Sequence, residues 1–259
     1  MRLEGALAAV IGFTGLLGLS FIAGRLGFLS NKKNNTVTND TRQDDDLPLT
    51  KSSYVDLTAA ITPDTVVFPG DPIFSTKQIC SISDESFFNL SEMCFGNHTG
   101  THIDFPAHVK KGGKVSNDYS IGELIGDGLI VDVPENMDSI SRSLIMSQPI
   151  LKNDFVFFKT RNSSLSKQGE FIEKFVYIEP DAARALLEKK VKIVGMDYIS
   201  VDDFSSEELP VHNILLSNDV LIVENVELKG VAPGRGKFFV MPLNIPGMDG
   251  LPARVVMSR

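Results

Sequence analysis

Three of the four histidines in the 259-residue chain fall within eleven residues, His98-Thr-Gly-Thr-His102-Ile-Asp104-Phe-Pro-Ala-His108. No other feature constrains the fold as much. His98, His102 and Asp104 stand at i, i+4 and i+6. A helix would bring the first two to one face, but Thr99, Gly100, Thr101 and Ile103 are poor helix formers and Pro106 closes the segment. On an extended strand even spacings share a face, so all three side chains are expected to point the same way. Two imidazoles and a carboxylate converging like this suit a divalent transition metal. Gly100 is read as leaving room for a ligand or metal near the backbone. His108 follows Phe105-Pro106, so it is expected from the next turn, beside the metal and off the row, where a general acid or base serves. A lone histidine is ordinarily a surface or satisfied core residue; a cluster this dense is poorly explained that way.

The fourth histidine, His212, precedes the apolar stretch Asn213-Ile-Leu-Leu, and Glu224 closes the buried run 220–223 twelve residues later. A carboxylate ending a buried strand either pairs with a cation or binds a metal, because burying it alone is costly. The residues by themselves leave both readings open. Cys80 and Cys94 are too few for a disulfide framework and read as two buried thiols, with a single bridge open only in an oxidising compartment. Nothing near either in sequence would activate it as a nucleophile.

Residues 6–24 carry no charge. At about 1.5 Å per helical residue such a run nearly spans a hydrocarbon core of about 30 Å. Residues 1–29 are therefore expected to form an apolar helix, a signal peptide or a membrane anchor flanked by Arg25, Lys32 and Lys33. The protein would then be secreted or membrane-anchored, on a side the sequence leaves open. Residues 30–50 read as a polar linker, and 51–259 as one domain of ordinary size. A net charge of −8 provides no basic face for a phosphate backbone, which argues against nucleic-acid binding. With 17 Phe and no Trp, Phe is the main aromatic available to line a pocket.

Within the domain, short β-rich runs at 54–57, 78–82, 128–133, 155–159, 192–195, 221–224, 237–241 and 254–257 alternate with turn signals such as Pro69-Gly70-Asp71 and Pro246-Gly247. One helix is expected to start at Pro180 and run through Asp181-Ala-Ala-Arg-Ala-Leu-Leu-Glu-Lys, with shorter ones from Ser120 and near His212. The class is mixed α/β, its sheet built of short strands.

Further phrases extend the pattern: Phe68-Pro69-Gly70-Asp71, Gly195-Met-Asp197-Tyr-Ile-Ser-Val-Asp202, His212 with Glu224, and Pro242-Leu-Asn-Ile-Pro246-Gly-Met-Asp249-Gly-Leu-Pro252-Ala-Arg254. With the histidine segment they make the chain, from about residue 54 onward, resemble the cyclase family that includes bacterial-type kynurenine formamidase and isatin hydrolase. The resemblance implies a swivelling β/β/α fold, a homodimer, and a centre of Zn²⁺ or Mn²⁺, often two ions per subunit. It implies that His98, His102 and Asp104 hold one metal, with Asp104 bridging to a second completed by His212 and Glu224. It further implies that His108 is the acid/base and that Phe68 stacks on a small aromatic amide. Formamidases of this type show Trp at that last position, so the substrate is where this chain departs. Asp197, Asp249 and Arg254 match family phrases and are read as structural or pocket-shaping.

The activity implied is amide hydrolysis by metal-activated water. The leading reading is an arylformamidase that converts N-formyl-L-kynurenine to kynurenine and formate. A cyclic amide or ester, as in isatin hydrolase, is the alternative substrate, and a non-enzymatic tethered or secreted protein keeping the fold is the alternative class. A mononuclear Fe(II) oxygenase fits residues 98–104 but leaves His212 and Glu224 idle. Asn97-His98-Thr99 is also a glycosylation sequon, like Asn34, Asn39, Asn89 and Asn162. A glycan at Asn97 would obstruct the site, so in a secretory lumen burial would have to protect it.

Overall fold

The computed structural model describes residues 54–83, 86–165 and 169–259. The chain divides after Leu47, and every described residue belongs to the second unit, Pro48–Arg259. The expectations for the apolar segment 1–29 and the linker 30–50 lie outside the described residues. No helix among the described residues is long and apolar enough to cross a membrane.

In chain order the strands are β1 (Tyr54–Asp56), β2 (Ser75–Cys80), β3 (Leu90–Cys94), β4 (His102–Asp104), β5 (Ile125–Asp132), β6 (Ser139–Ile140), β7 (Phe155–Lys159), β8 (Tyr177–Ile178), β9 (Ile193–Met196), β10 (Leu221–Glu224), β11 (Gly234–Pro242) and β12 (Gly250–Ser258). The α-helices are α1 (Arg142–Ser147), α2 (Pro180–Lys189) and α3 (Pro210–Leu216). The main sheet runs β1-β12-β11-β5-β7-β9-β10-β4, and β4 also pairs with β12, which closes seven strands into a barrel. β5, β7, β9 and β10 are parallel neighbours; β11, β12 and β4 complete the ring antiparallel. The mixed α/β class is thus observed.

Alternation along each strand divides the apolar residues between two cores. Ile103, Ile130, Phe155, Phe157, Ile193, Val223 and Phe238 gather in one, the barrel interior. The rings of Phe157 and Phe238 stack there with centroids 4.6 Å apart. Gly195 makes room for them: a Cβ would lie 2.1 Å from the Phe157 ring. The intervening residues Val131, Val156, Phe158, Val194, Met196 and Ile222 form a second core with Ala182, Ala183 and Leu186 of α2 and Val211 and Leu215 of α3. The helices therefore cover the outer barrel face.

The helix expected at Pro180 is α2, ended by Lys190 in the left-handed region at φ 59°. The one expected near His212 is α3. Ser120 does start a turn, but it is a single 3₁₀ turn (Ile121–Leu124), because β5 begins at the next residue. α1, six residues capped by the Ser141 hydroxyl, was too short to leave a periodic signal. The thiols are not buried as expected: Cys80 is half-buried, Cys94 is exposed, and both are free. They lie on the β2–β3 ribbon, which pairs with no barrel strand, and they face Leu90 and Ser75 rather than each other.

Candidate metal centre

β4 lies between β10 and β12, and its register builds the centre. His102 is opposite Glu224 on one side and Pro252 on the other; Asp104 is opposite Ile222 and Gly250. Ile103 points into the barrel, so His102, Asp104 and Glu224 share the outer face. His102 Nε2 lies 3.4 Å from Glu224 Oε2 and 3.4 Å from Asp104 Oδ1.

His98 reaches the same place by another route. The expectation of one strand from His98 to Asp104 fails, because the strand starts only at His102 and the chain turns at Gly100, whose φ is +67°. Nor is Gly100 open to a metal: a Cβ there would lie 2.7 Å from the Ile61 side chain. The turn is pinned by Thr101, whose hydroxyl donates to the Asn225 carbonyl and accepts from the Ala59 N–H. It delivers His98 Nδ1 to 2.8 Å from Asp104 Oδ1. The Gly100 carbonyl lies 2.9 Å from His102 Nδ1, which leaves Nε2 for the centre. Gly250 makes way for the His98 ring, since a Cβ would sit 2.2 Å from its Cε1.

His212, in the first turn of α3, brings Nε2 to 3.3 Å from Glu224 Oε1 and 3.6 Å from Asp104 Oδ2. Asp202 orients it, accepting from the Val211 and His212 backbone N–H groups and lying 2.6 Å from His212 Nδ1. His108 comes from the 3₁₀ turn Pro106–His108, with its ring centroid 4.3 Å from that of His98. Its side chain is 26 % exposed, whereas Asp104 is fully buried.

All six residues named from the sequence as ligands or acid/base thus converge, although their grouping is richer than expected. Donor atoms of His98, Asp104 and His108 lie within 4.8 Å of one another, as do those of His102, Asp104 and Glu224. His108 therefore lies in ligand range rather than merely nearby. Phe68 lines the adjoining cavity of about 210 Å³, together with His98, His102, His108, His212 and Glu224.

Electrostatics favour a cation. Burial pushes the Asp104 carboxyl up, but His102, His212 and His98 outweigh it and hold it well below the usual range. Burial likewise opposes charge on His212, yet Glu224, Asp104 and Asp202 hold that imidazole well above its usual range. His98, despite burial, is held up to about 9 by Asp104 and Asp249. Asp104 Oδ2 is buried with no hydrogen-bond partner, a cost that a bound cation would remove. The donor set of imidazoles and carboxylates fits a divalent transition metal.

Two supporting residues carried little signal. Asp202 meets His212 only through the loop before α3, with no helical or strand spacing between them. Asp249, read as structural or pocket-shaping, touches the centre directly: Oδ2 lies 3.2 Å from His98 Nε2 and 3.3 Å from His108 Nδ1, while Oδ1 accepts from Asn97. The half-buried Asn97 side chain is engaged in that bond, and Asn162 is fully buried.

A barrel whose outer face gathers such a donor set beside a cavity is built as metal-dependent hydrolases are, to hold a divalent ion beside a substrate space. Residues 55–203 match the model of the Cyclase family, described as "Putative cyclase", and the chain belongs to that family. The kynurenine formamidase of Salinibacter ruber is 35% identical over 206 residues, 79% of this chain and 97% of that protein. The kynurenine formamidase of Bacillus anthracis is 32% identical over 206 residues, covering 80% and 97%. A solved structure titled as a potential metal-dependent hydrolase with cyclase activity aligns with a TM-score of 0.69 at 33% identity, covering 80% of this chain and 98% of the other. Isatin hydrolase A from Labrenzia aggregata shares the fold, with a TM-score of 0.70 at 19% identity over 79% and 92% of the two chains.

Proposed function

We propose that this chain is an arylformamidase that hydrolyses N-formyl-L-kynurenine to formate and kynurenine. The observation that carries the reading is the cavity in which Phe68 and His108 face the Asp104-centred cluster, in a chain 35% identical to a kynurenine formamidase. The centre would take two Zn²⁺ or Mn²⁺ ions. His98, His102 and Asp104 Oδ1 would hold one, and His212, Glu224 and Asp104 Oδ2 the other, since the two Asp104 oxygens face different imidazoles. Bound metal supplies ionised water at neutral pH and a Lewis acid for the carbonyl oxygen. Phe68 would seat the aryl ring, and burial of His102 and Asp104 keeps bulk water from their flank. Water would add to the formyl carbon and yield a proton to His108, the carbon–nitrogen bond would break, and His108 would pass that proton to the departing nitrogen.

His108→Ala should retain bound metal and lose about 10²–10⁴-fold in kcat, read by metal analysis and a formate-release assay on the full chain. Wild-type turnover in that variant would remove His108 from the mechanism. A metal-free, inert wild-type protein would favour the non-enzymatic reading. Phe68, where the resemblance leads one to expect Trp, favours testing isatin as a second substrate.

The homodimer belongs to the same proposal. Ile79, Leu90 and Met93 are exposed on the β2–β3 ribbon, where a second copy would cover them. Sedimentation should show a dimer, weakened by Leu90→Asp with Met93→Asp. Membrane attachment or secretion through residues 6–24 would be tested by fractionating cells expressing the full chain.

A further inference from the structure

The cavity wall carries one charged group that the proposed chemistry does not use. His98, His102, His108, His212 and Glu224 belong to the centre; the remaining ionisable lining residue is Asp71, and no Lys or Arg is among the described lining residues. Asp71 is exposed, and its carboxylate has no hydrogen bond or ion pair among the described residues. Its position is not loose. The Asp71 N–H donates to the Phe68 carbonyl at 2.9 Å, closing a turn with Pro69 second and Gly70 third. Gly70 has a φ of +101°, the left-handed region that the third position of such a turn requires. Ring and carboxylate therefore leave one hydrogen-bonded turn three residues apart, both on the cavity wall.

We propose that Asp71 is a specificity-determining residue that pairs with a cationic amine at the end of an aromatic substrate remote from the scissile bond. The inference rests on the formamide-hydrolase reading and names the substrate class within it: aryl formamides bearing an ammonium group. A ring lying on Phe68 with its acyl group at the centre would leave its far substituents beside Asp71. An ammonium there gains a charge-assisted partner and a place near an aromatic face. A substrate whose only far charge is a carboxylate would meet like charge, with no lining cation to offset it.

The test uses metal-loaded full chain, wild type and Asp71→Asn. The substrates are N-formyl-L-kynurenine and its analogue lacking the α-amino group. The KM of the amine substrate should rise at least tenfold in the variant, with the effect on KM rather than kcat, while the des-amino substrate shows no such rise. Equal shifts for both substrates, or none for either, would overturn the assignment. Calorimetric binding of L-kynurenine and des-amino kynurenine separates this from failure of the formamidase reading. If wild type turns over neither substrate, that reading falls, and a tenfold binding preference for the amine that vanishes in the variant still supports Asp71. Absence of that preference in wild type overturns it.

Discussion

Gly250 and Asp202 show how single residues hold the centre without being part of it. Any side chain at position 250 would enter the His98 ring, so Gly250→Ala must displace a candidate ligand. Its metal affinity should fall at least tenfold, measured by competition with a chromogenic chelator; unchanged affinity would mean that His98 is not a ligand. Asp202→Asn keeps the size of the side chain but replaces one oxygen facing His212 Nδ1 with a donor. Outer partners of metal-bound histidines contribute about 10–100-fold in affinity, and a loss of that size is expected, with the fold intact by circular dichroism. The histidine segment was legible because residue types alone carry its chemistry. Gly250 and Asp202 were not, because a glycine or an aspartate acquires such a role only from what lies beside it.

Among the elements, β4 and β10 set the geometry, since their register places Glu224 opposite His102. Spacing within the chain could show that Glu224 ended a buried strand, but not which strand lay alongside. A second device ties β9 to the turn after β7. Asp197 accepts from the N–H and hydroxyl groups of both Thr160 and Ser163. Burial outweighs these bonds and raises the carboxyl from 3.8 to about 6. The folded state thus binds the proton more tightly than the unfolded chain. That contribution is full below the unfolded value and is lost as pH rises through about 6. Its size is on the order of 3 kcal/mol. Asp197→Asn should flatten the decline in stability between about pH 4 and 7, read by denaturant titration at several pH values. An unchanged difference between the two curves across that range would show that Asp197 does not titrate there.

At the scale of the molecule, the barrel interior is apolar and separate from the centre, so metal should stabilise the fold without being required to build it. A ligand at 1,000 times its Kd adds about 4 kcal/mol, and in a domain of this size each kcal/mol moves Tm by roughly 2–4 °C. Chelation should therefore lower Tm by about 10 °C while leaving a cooperative transition. Loss of cooperativity would mean that the metal organises the barrel itself. The amino-acid sequence determined the barrel strands, though not β3, β6 or β8, together with α2, the mixed α/β class and the residues of the centre, because alternation, helix-start signals and ligand chemistry are local properties. The tertiary structure alone decided that the strands close into a barrel, that His98 arrives by a turn rather than along a strand, and that each Asp104 oxygen faces different imidazoles. Those depend on which strands become neighbours, and pairing joins residues more than a hundred positions apart. The histidine segment supplies the chemistry, and β10, β12 and α3 bring its partners to it.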